Sequence, residues 1–143
     1  MSTGSASLAD PTSLLGEWRL SRVIDDRLAG ERSLVGGMLS LTAVSPDRIR
    51  WEEQGHWHQP AGDVAVRRGL WLVRDEGSQG WWVRFEDERD FHPWLPGEAF
   101  VHPCAPDTYR GVVDGTPERW TVEWEVTGPA KDYSMSTELT REV

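Results

Sequence analysis

The chain has 143 residues, enough for one domain with a substantial core and too few for two. Hydrophobic residues make up 38% and charged ones 27%, the balance of a globular chain and not of a disordered or membrane-spanning one. Asp and Glu number 24 against 15 Lys and Arg, and the formal charge of -9 argues against nucleic acid or an anionic membrane surface as a partner.

Residues 1–12 are small and polar and are expected to form a loose tail that packs little, with one domain over 13–143. This start has neither a basic nor an apolar region of the kind a signal peptide needs. The single cysteine, Cys104, excludes an intrachain disulfide and suits a reducing compartment, so a cytoplasmic location is expected.

Beyond Leu14 no helical period is sustained; alternation of period two recurs instead. Segment 15–24 places Trp18, Leu20 and Ile24 on one face, and a strand near 34–43 follows. Segment 48–57 groups Ile49, Trp51 and Trp57; after a strand near 64–74, segment 81–86 groups Trp81, Val83 and Phe85. Strands near 98–103 and 109–114 lead to the clearest case, 120–127. There Trp120, Val122, Trp124 and Val126 share one face while Thr121, Glu123, Glu125 and Thr127 share the other. The last segment, 131–141, groups Tyr133, Met135 and Leu139. Asp25-Asp26, Ser45-Pro46-Asp47, Gln59-Pro60-Ala61-Gly62, Asp75-Glu76-Gly77 and Asp114-Gly115 are the expected turns. The result is all-β: roughly eight to ten antiparallel strands that must bury one face and protect their edges, best met by a single up-and-down β-barrel, with a sandwich as the second choice.

The first strand opens with Gly16-Glu17-Trp18 and the last ends at Arg141. This resembles the calycin arrangement of lipocalins and fatty-acid-binding proteins. There a tryptophan closes one barrel end under an arginine of the final strand, and a guanidinium stacks well on an indole. Further residues, Asp25-Asp26, Glu53-x-Gly55, Phe91-His92, His102-x-Cys104-x-x-Asp107-x-Tyr109 and Gly128-Pro129-x-Lys131-Asp132-Tyr133, extend the likeness over nearly the whole chain. They resemble an uncharacterised bacterial family of calycin-like barrels of unknown function. That resemblance implies a fold and a pocket but no activity; a more distant likeness to haem-binding nitrobindins rests on fold analogy alone.

Strand parity converts the fold into candidate sites, because a polar residue on an apolar face points inward, where it needs a partner. Arg22 shares its face with Trp18 and Leu20, Glu53 with Trp51 and Trp57, and Lys131 with Tyr133 and Met135. A second concentration is His92, His102, Cys104, Asp107 and Tyr109, in a stretch stiffened by Pro93, Pro96, Pro103 and Pro106. His102 and Cys104 share parity, so a thiol–imidazole contact is open, although an inert thiol is the plainer reading. The pair His56 and His58 faces away from the tryptophans, and no CxxC or HExxH pattern accompanies it, so no metal site is expected. GxGxxG, P-loop and GxSxG patterns are absent, and no cofactor is expected.

The function these residues favour is binding of a small molecule. Trp18, Trp51, Trp57, Trp120, Trp124 and Tyr133 are expected to wall a cavity for an apolar or aromatic guest, with His92 and Cys104 as further contacts. Arg22 and Lys131 suit an acidic group on that guest. Glu53, His102, Asp107, Tyr109 and Lys131 are the catalytic candidates if the barrel is also a cofactor-independent isomerase, cyclase or lyase working by acid–base chemistry. The alternative is haem held by an axial His92 or His102. A protein-binding surface would need outward indoles, for which parity leaves only Trp82 and Trp94. Pairing of two copies as a homodimer stays open.

Overall fold

The alternation becomes ten strands in the computed structural model, which describes residues 7–77 and 80–141. They are β1 (Gly16–Asp26), β2 (Glu31–Ser45), β3 (Arg48–Gln59), β4 (Gly62–Arg74), β5 (Trp81–Phe85), β6 (Asp90–Pro93), β7 (Phe100–Cys104), β8 (Asp107–Thr116), β9 (Arg119–Gly128) and β10 (Lys131–Arg141). A short 3-10 turn, Pro11–Leu14, precedes β1, and no α-helix occurs among the described residues. Strands pair antiparallel in the order β6-β5-β4-β3-β2-β1-β10-β9-β8-β7. Because β1 also pairs with β10, the sheet curls into an up-and-down barrel that is nearly closed.

The remaining seam lies between β6 and β7, the edges of the sheet. Aromatic side chains cover it where the ladder does not. His92 stacks on Phe100 with ring centroids 4.0 Å apart and planes 6° apart. Phe91 stacks on Trp124 at 5.1 Å and on Phe85 at 4.3 Å. Strand β6 was not expected, and a bulge explains why. Val83 pairs with His92 but Arg84 with Asp90, so Phe91 is the extra residue, and both Phe91 and His92 are buried although adjacent.

One barrel end is filled by indoles. Trp18 and Trp120 are fully buried and meet edge to face at 5.7 Å; Trp51 and Trp94 meet Trp120 at 5.8 Å and 5.9 Å. Trp94 is therefore core, against the outward position that parity left open. The segment expected to pack little belongs to this core from Leu8 onward. Leu8, Pro11 and Leu14 are buried, Trp18 Nε1 donates to the Leu14 carbonyl at 2.7 Å, and Trp94 Nε1 donates to that of Leu8 at 2.9 Å. Residues 1–6 lie outside the described residues. Arg141 closes the end as expected: its guanidinium lies 4.0 Å over the Trp18 ring and donates to the carbonyls of Leu15 and Ser13, each at 2.9 Å. Gly16, at φ 120°, lets the chain pass under that guanidinium.

Elsewhere the turns shift slightly. Asp25 and Asp26 end β1, and the Asp26 carboxylate accepts from the Leu28 and Ala29 N–H groups beyond it. Asp114-Gly115 lies inside β8, and the reversal comes after Thr116. The outer face carries ion pairs, among them Arg27 with Glu125 and Asp132, and Arg84 with Asp90. That polar exterior is the reverse of a lipid-facing barrel's pattern.

Candidate functional site

With one end filled, the other opens onto a cavity of about 230 Å³. Its walls are Leu20, Ile24, Val35, Trp57, Val66 and Met135, carried on β1, β2, β3, β4 and β10. The Trp57 indole is fixed at the wall by donating to Ser33 Oγ at 2.8 Å. Beneath lies a second void of about 20 Å³, room for one water, among Trp51, Val83, His92 and Trp124. Arg22, Glu53 and Arg68 line both spaces, so these charged side chains form the layer between them.

Parity delivered Arg22 and Glu53 to that layer as expected. Arg22 Nε donates to Thr137 Oγ1 at 2.7 Å, and its terminal nitrogen meets both Glu53 oxygens at 3.1 Å. Trp51 Nε1 donates to Glu53 Oε2 at 3.0 Å. Glu53 is 6% exposed, and its carboxyl group is paired, as burial of a polar group demands.

Arg68 is the residue that sequence reading missed. It faces Glu53 directly across the β3–β4 ladder, yet among the described residues it has no ion-pair or hydrogen-bond partner; its guanidinium lies 5.7 Å from the centre of the Phe91 ring. Burial pulls its pKa below the ordinary arginine value, Glu53 opposes that and Arg22 adds to it, but arginine keeps its proton regardless. A signal existed: Val66, Arg68, Leu70 and Leu72 alternate on one face. It was blurred because Trp71 and Val73 make the opposite face apolar too. Outside the barrel, Trp71 is covered by the guanidinium groups of Arg48 and Arg50 at 4.1 Å and 4.7 Å.

The catalytic candidates divide. Lys131, Tyr109 and Asp107 come together at the open end: Lys131 Nζ donates to Tyr109 OH at 3.0 Å and pairs with Asp107 Oδ2 at 3.1 Å. These two partners hold the ammonium above the usual lysine range, Tyr109 first. His102 meets the Tyr109 ring edge to face at 6.2 Å. Glu53 joins Arg22 in the deeper layer instead. Tyr133 feels both groups, its pKa raised by burial first and by Tyr109, and lowered by Lys131 and Arg68.

The other expected contacts fall as follows. Trp57 lines the cavity, while Trp51, Trp124 and His92 line only the small void. Trp18 and Trp120 wall neither, because they pack the filled end. Cys104 is exposed at the end of β7 and lines neither space. His92 Nδ1 donates to the Pro93 carbonyl at 2.8 Å, and burial lowers its pKa to about 4, so it is neutral near pH 7. Neither His92 nor His102 lines the main cavity, and His92 lines the small void beneath it. His56 and His58 are exposed, His58 beside Asp63 at 2.9 Å, and no group of metal-ligating side chains occurs among the described residues. No described helix is long and apolar enough to cross a membrane.

Residues 14–141 match a family of unknown function, DUF6314. No curated protein matches the chain. Among solved structures, the S-type phycobiliprotein lyase CPES from Guillardia theta is similar at a TM-score of 0.62 and 12% identity, over 92% of this chain and 90% of that one. The redesigned β-barrel mFAP0 bound to DFHBI has a TM-score of 0.52 at 14% identity, over 90% and 99%. EF1p2_mFAP2b bound to DFHBI has a TM-score of 0.54 at 12% identity, over 96% and 100%. At such identities the likeness is one of fold.

Proposed function

The chain belongs to the DUF6314 family, whose function is unknown, and we propose from its site that it binds a compact apolar or aromatic small molecule bearing an acidic group. The observation that carries this reading is an open cavity with apolar walls above a layer of two half-buried arginines and one buried glutamate. An engineered cavity of about 150 Å³ takes benzene, so about 230 Å³ suits a bicyclic ring or a short chain. The DFHBI held by the redesigned barrels supports the choice of an aromatic guest for this architecture. The tryptophan–arginine lock at the filled end supports a calycin-like assignment, and the single unpaired cysteine supports a reducing, cytoplasmic setting.

The test is a titration with naphthalene- and indole-sized acids, read by the change in tryptophan fluorescence and by calorimetry. Saturable binding with one site is expected, and Val66→Trp, which fills the cavity, should abolish it. Binding unchanged in Val66→Trp would place the ligand elsewhere and end this reading.

One observation favours a catalytic version: Lys131 touches both Tyr109 OH and Asp107 at the open end. A phenol beside an ammonium is an arrangement for moving a proton and stabilising an enolate, as an isomerase, cyclase or lyase requires. Tyr109→Phe should then remove turnover of a bound guest while leaving its affinity within a few-fold. Equal turnover in Tyr109→Phe would leave the barrel as a binder only.

A further inference from the structure

We propose that Arg68 is the anion anchor of the cavity and that the natural guest carries a single carboxylate, held against Arg68 with its apolar body towards Trp57. The inference rests on the binding reading above and adds the group that selects the ligand.

The argument is one of charge and valence in the buried layer. Arg22 is committed on both sides, to Thr137 and to Glu53. Glu53 is committed to Arg22 and to Trp51. Among the described residues Arg68 has neither an ion-pair nor a hydrogen-bond partner, and the Phe91 ring at 5.7 Å is a weak counterpart for a full charge. Two cations and one anion leave the layer with one positive charge in excess. Arg68 is half-buried, and a partly desolvated charge with no paired anion is costly to the fold, which makes it informative when it lines an open cavity. Its neighbour Arg67, which also lines the cavity, shows the contrast: it is exposed and has an anion, Glu52, 3.5 Å away.

The planar fork of an arginine matches a carboxylate with two parallel hydrogen bonds, and in a desolvated site such bonds are strong. The same layer limits the charge to one. A second carboxylate would find Arg22 already occupied and Glu53 repelling it. A neutral amide of the same shape could reach Arg68 with its carbonyl but would leave the charge standing.

The experiment uses the full chain and three probes of nearly equal shape: 2-naphthoate, 2-naphthamide and naphthalene-2,6-dicarboxylate. Calorimetry should show naphthoate binding on the order of tenfold to hundredfold tighter than the amide, and tighter than the dicarboxylate. In Arg68→Met the naphthoate should fall to the amide's affinity while the amide changes little. The thermal midpoint of ligand-free Arg68→Met should rise, because the variant removes a half-buried charge that has no paired anion. Equal affinity for acid and amide in the native protein overturns the anchor and leaves the cavity reading standing. So does an acid preference that survives Arg68→Met, or a midpoint that falls. Failure of all three probes to bind removes the cavity reading itself, and the anchor with it.

Discussion

Glu53→Gln is the substitution whose cost the geometry specifies most closely. The carboxylate is 6% exposed, meets the Arg22 guanidinium with both oxygens at 3.1 Å, and accepts from Trp51 Nε1 at 3.0 Å. Glutamine retains one acceptor oxygen but no charge, so the half-buried Arg22 and Arg68 would both stand uncompensated in one layer. Removing one partner of a buried pair costs about 3–5 kcal/mol. A domain has about 5–15 kcal/mol in all, so the variant should fold but be marginal. At roughly 3–4 °C per kcal/mol for a chain of this size, the thermal midpoint should fall by about 9–20 °C. Urea denaturation followed by tryptophan fluorescence measures the free energy, and near-ultraviolet circular dichroism checks that the indole cluster is intact. Adding Arg68→Met to Glu53→Gln should restore part of the loss, because it removes one of the two stranded cations. A loss below about 1 kcal/mol, or strict additivity of the two substitutions, would refute the picture of a dry, electrostatically coupled layer.

The Trp18–Arg141 lock should show graded costs in the same denaturation assay: about 3–5 kcal/mol for Trp18→Ala, and about 2–3 kcal/mol for Arg141→Met, which loses two charged hydrogen bonds and the indole stack. His92 titrates at about 4 in the fold against 6.5 free, so the unfolded chain binds the extra proton between those values and stability falls as pH drops through that window. The loss from pH 7 to 4 attributable to this group is at most about 3 kcal/mol, and His92→Gln should flatten that part of a stability-against-pH curve; an unchanged slope would contradict a neutral, buried imidazole. Gly37 and Gly55 face each other across β2 and β3, where a Cβ would lie 2.1 Å and 2.3 Å from backbone oxygens of the facing strand. Gly37→Ala should therefore cost about 1–3 kcal/mol by forcing those strands apart, and a neutral result in urea would show that the strands part freely.

The strands were legible because a sheet with one wet face writes its burial into every second residue. Trp120 to Val126 shows this, and the same alternation places Arg22 and Glu53 on the inner face. Gly16-x-Trp18 and Arg141 were legible as a closing pair because they stand at the two strands that an up-and-down barrel must bring together. Parity fails where its premise fails. At Phe91 a bulge inserts one residue, so two neighbours turn inward; at Trp71 two outer arginines cover an indole and both faces of β4 read as apolar, which hid Arg68. Nor can alternation say how deep an inward residue lies. Trp57 and Trp120 share the inner face of their strands, yet one lines an open cavity and the other fills the closed end. That difference was decided by Leu8 and Leu14 folding under one end of the barrel. Local pattern determines which side of a strand meets water. Which charges meet one another inside, and which one is left over, depends on strands far apart in sequence, and only the closed sheet settles it.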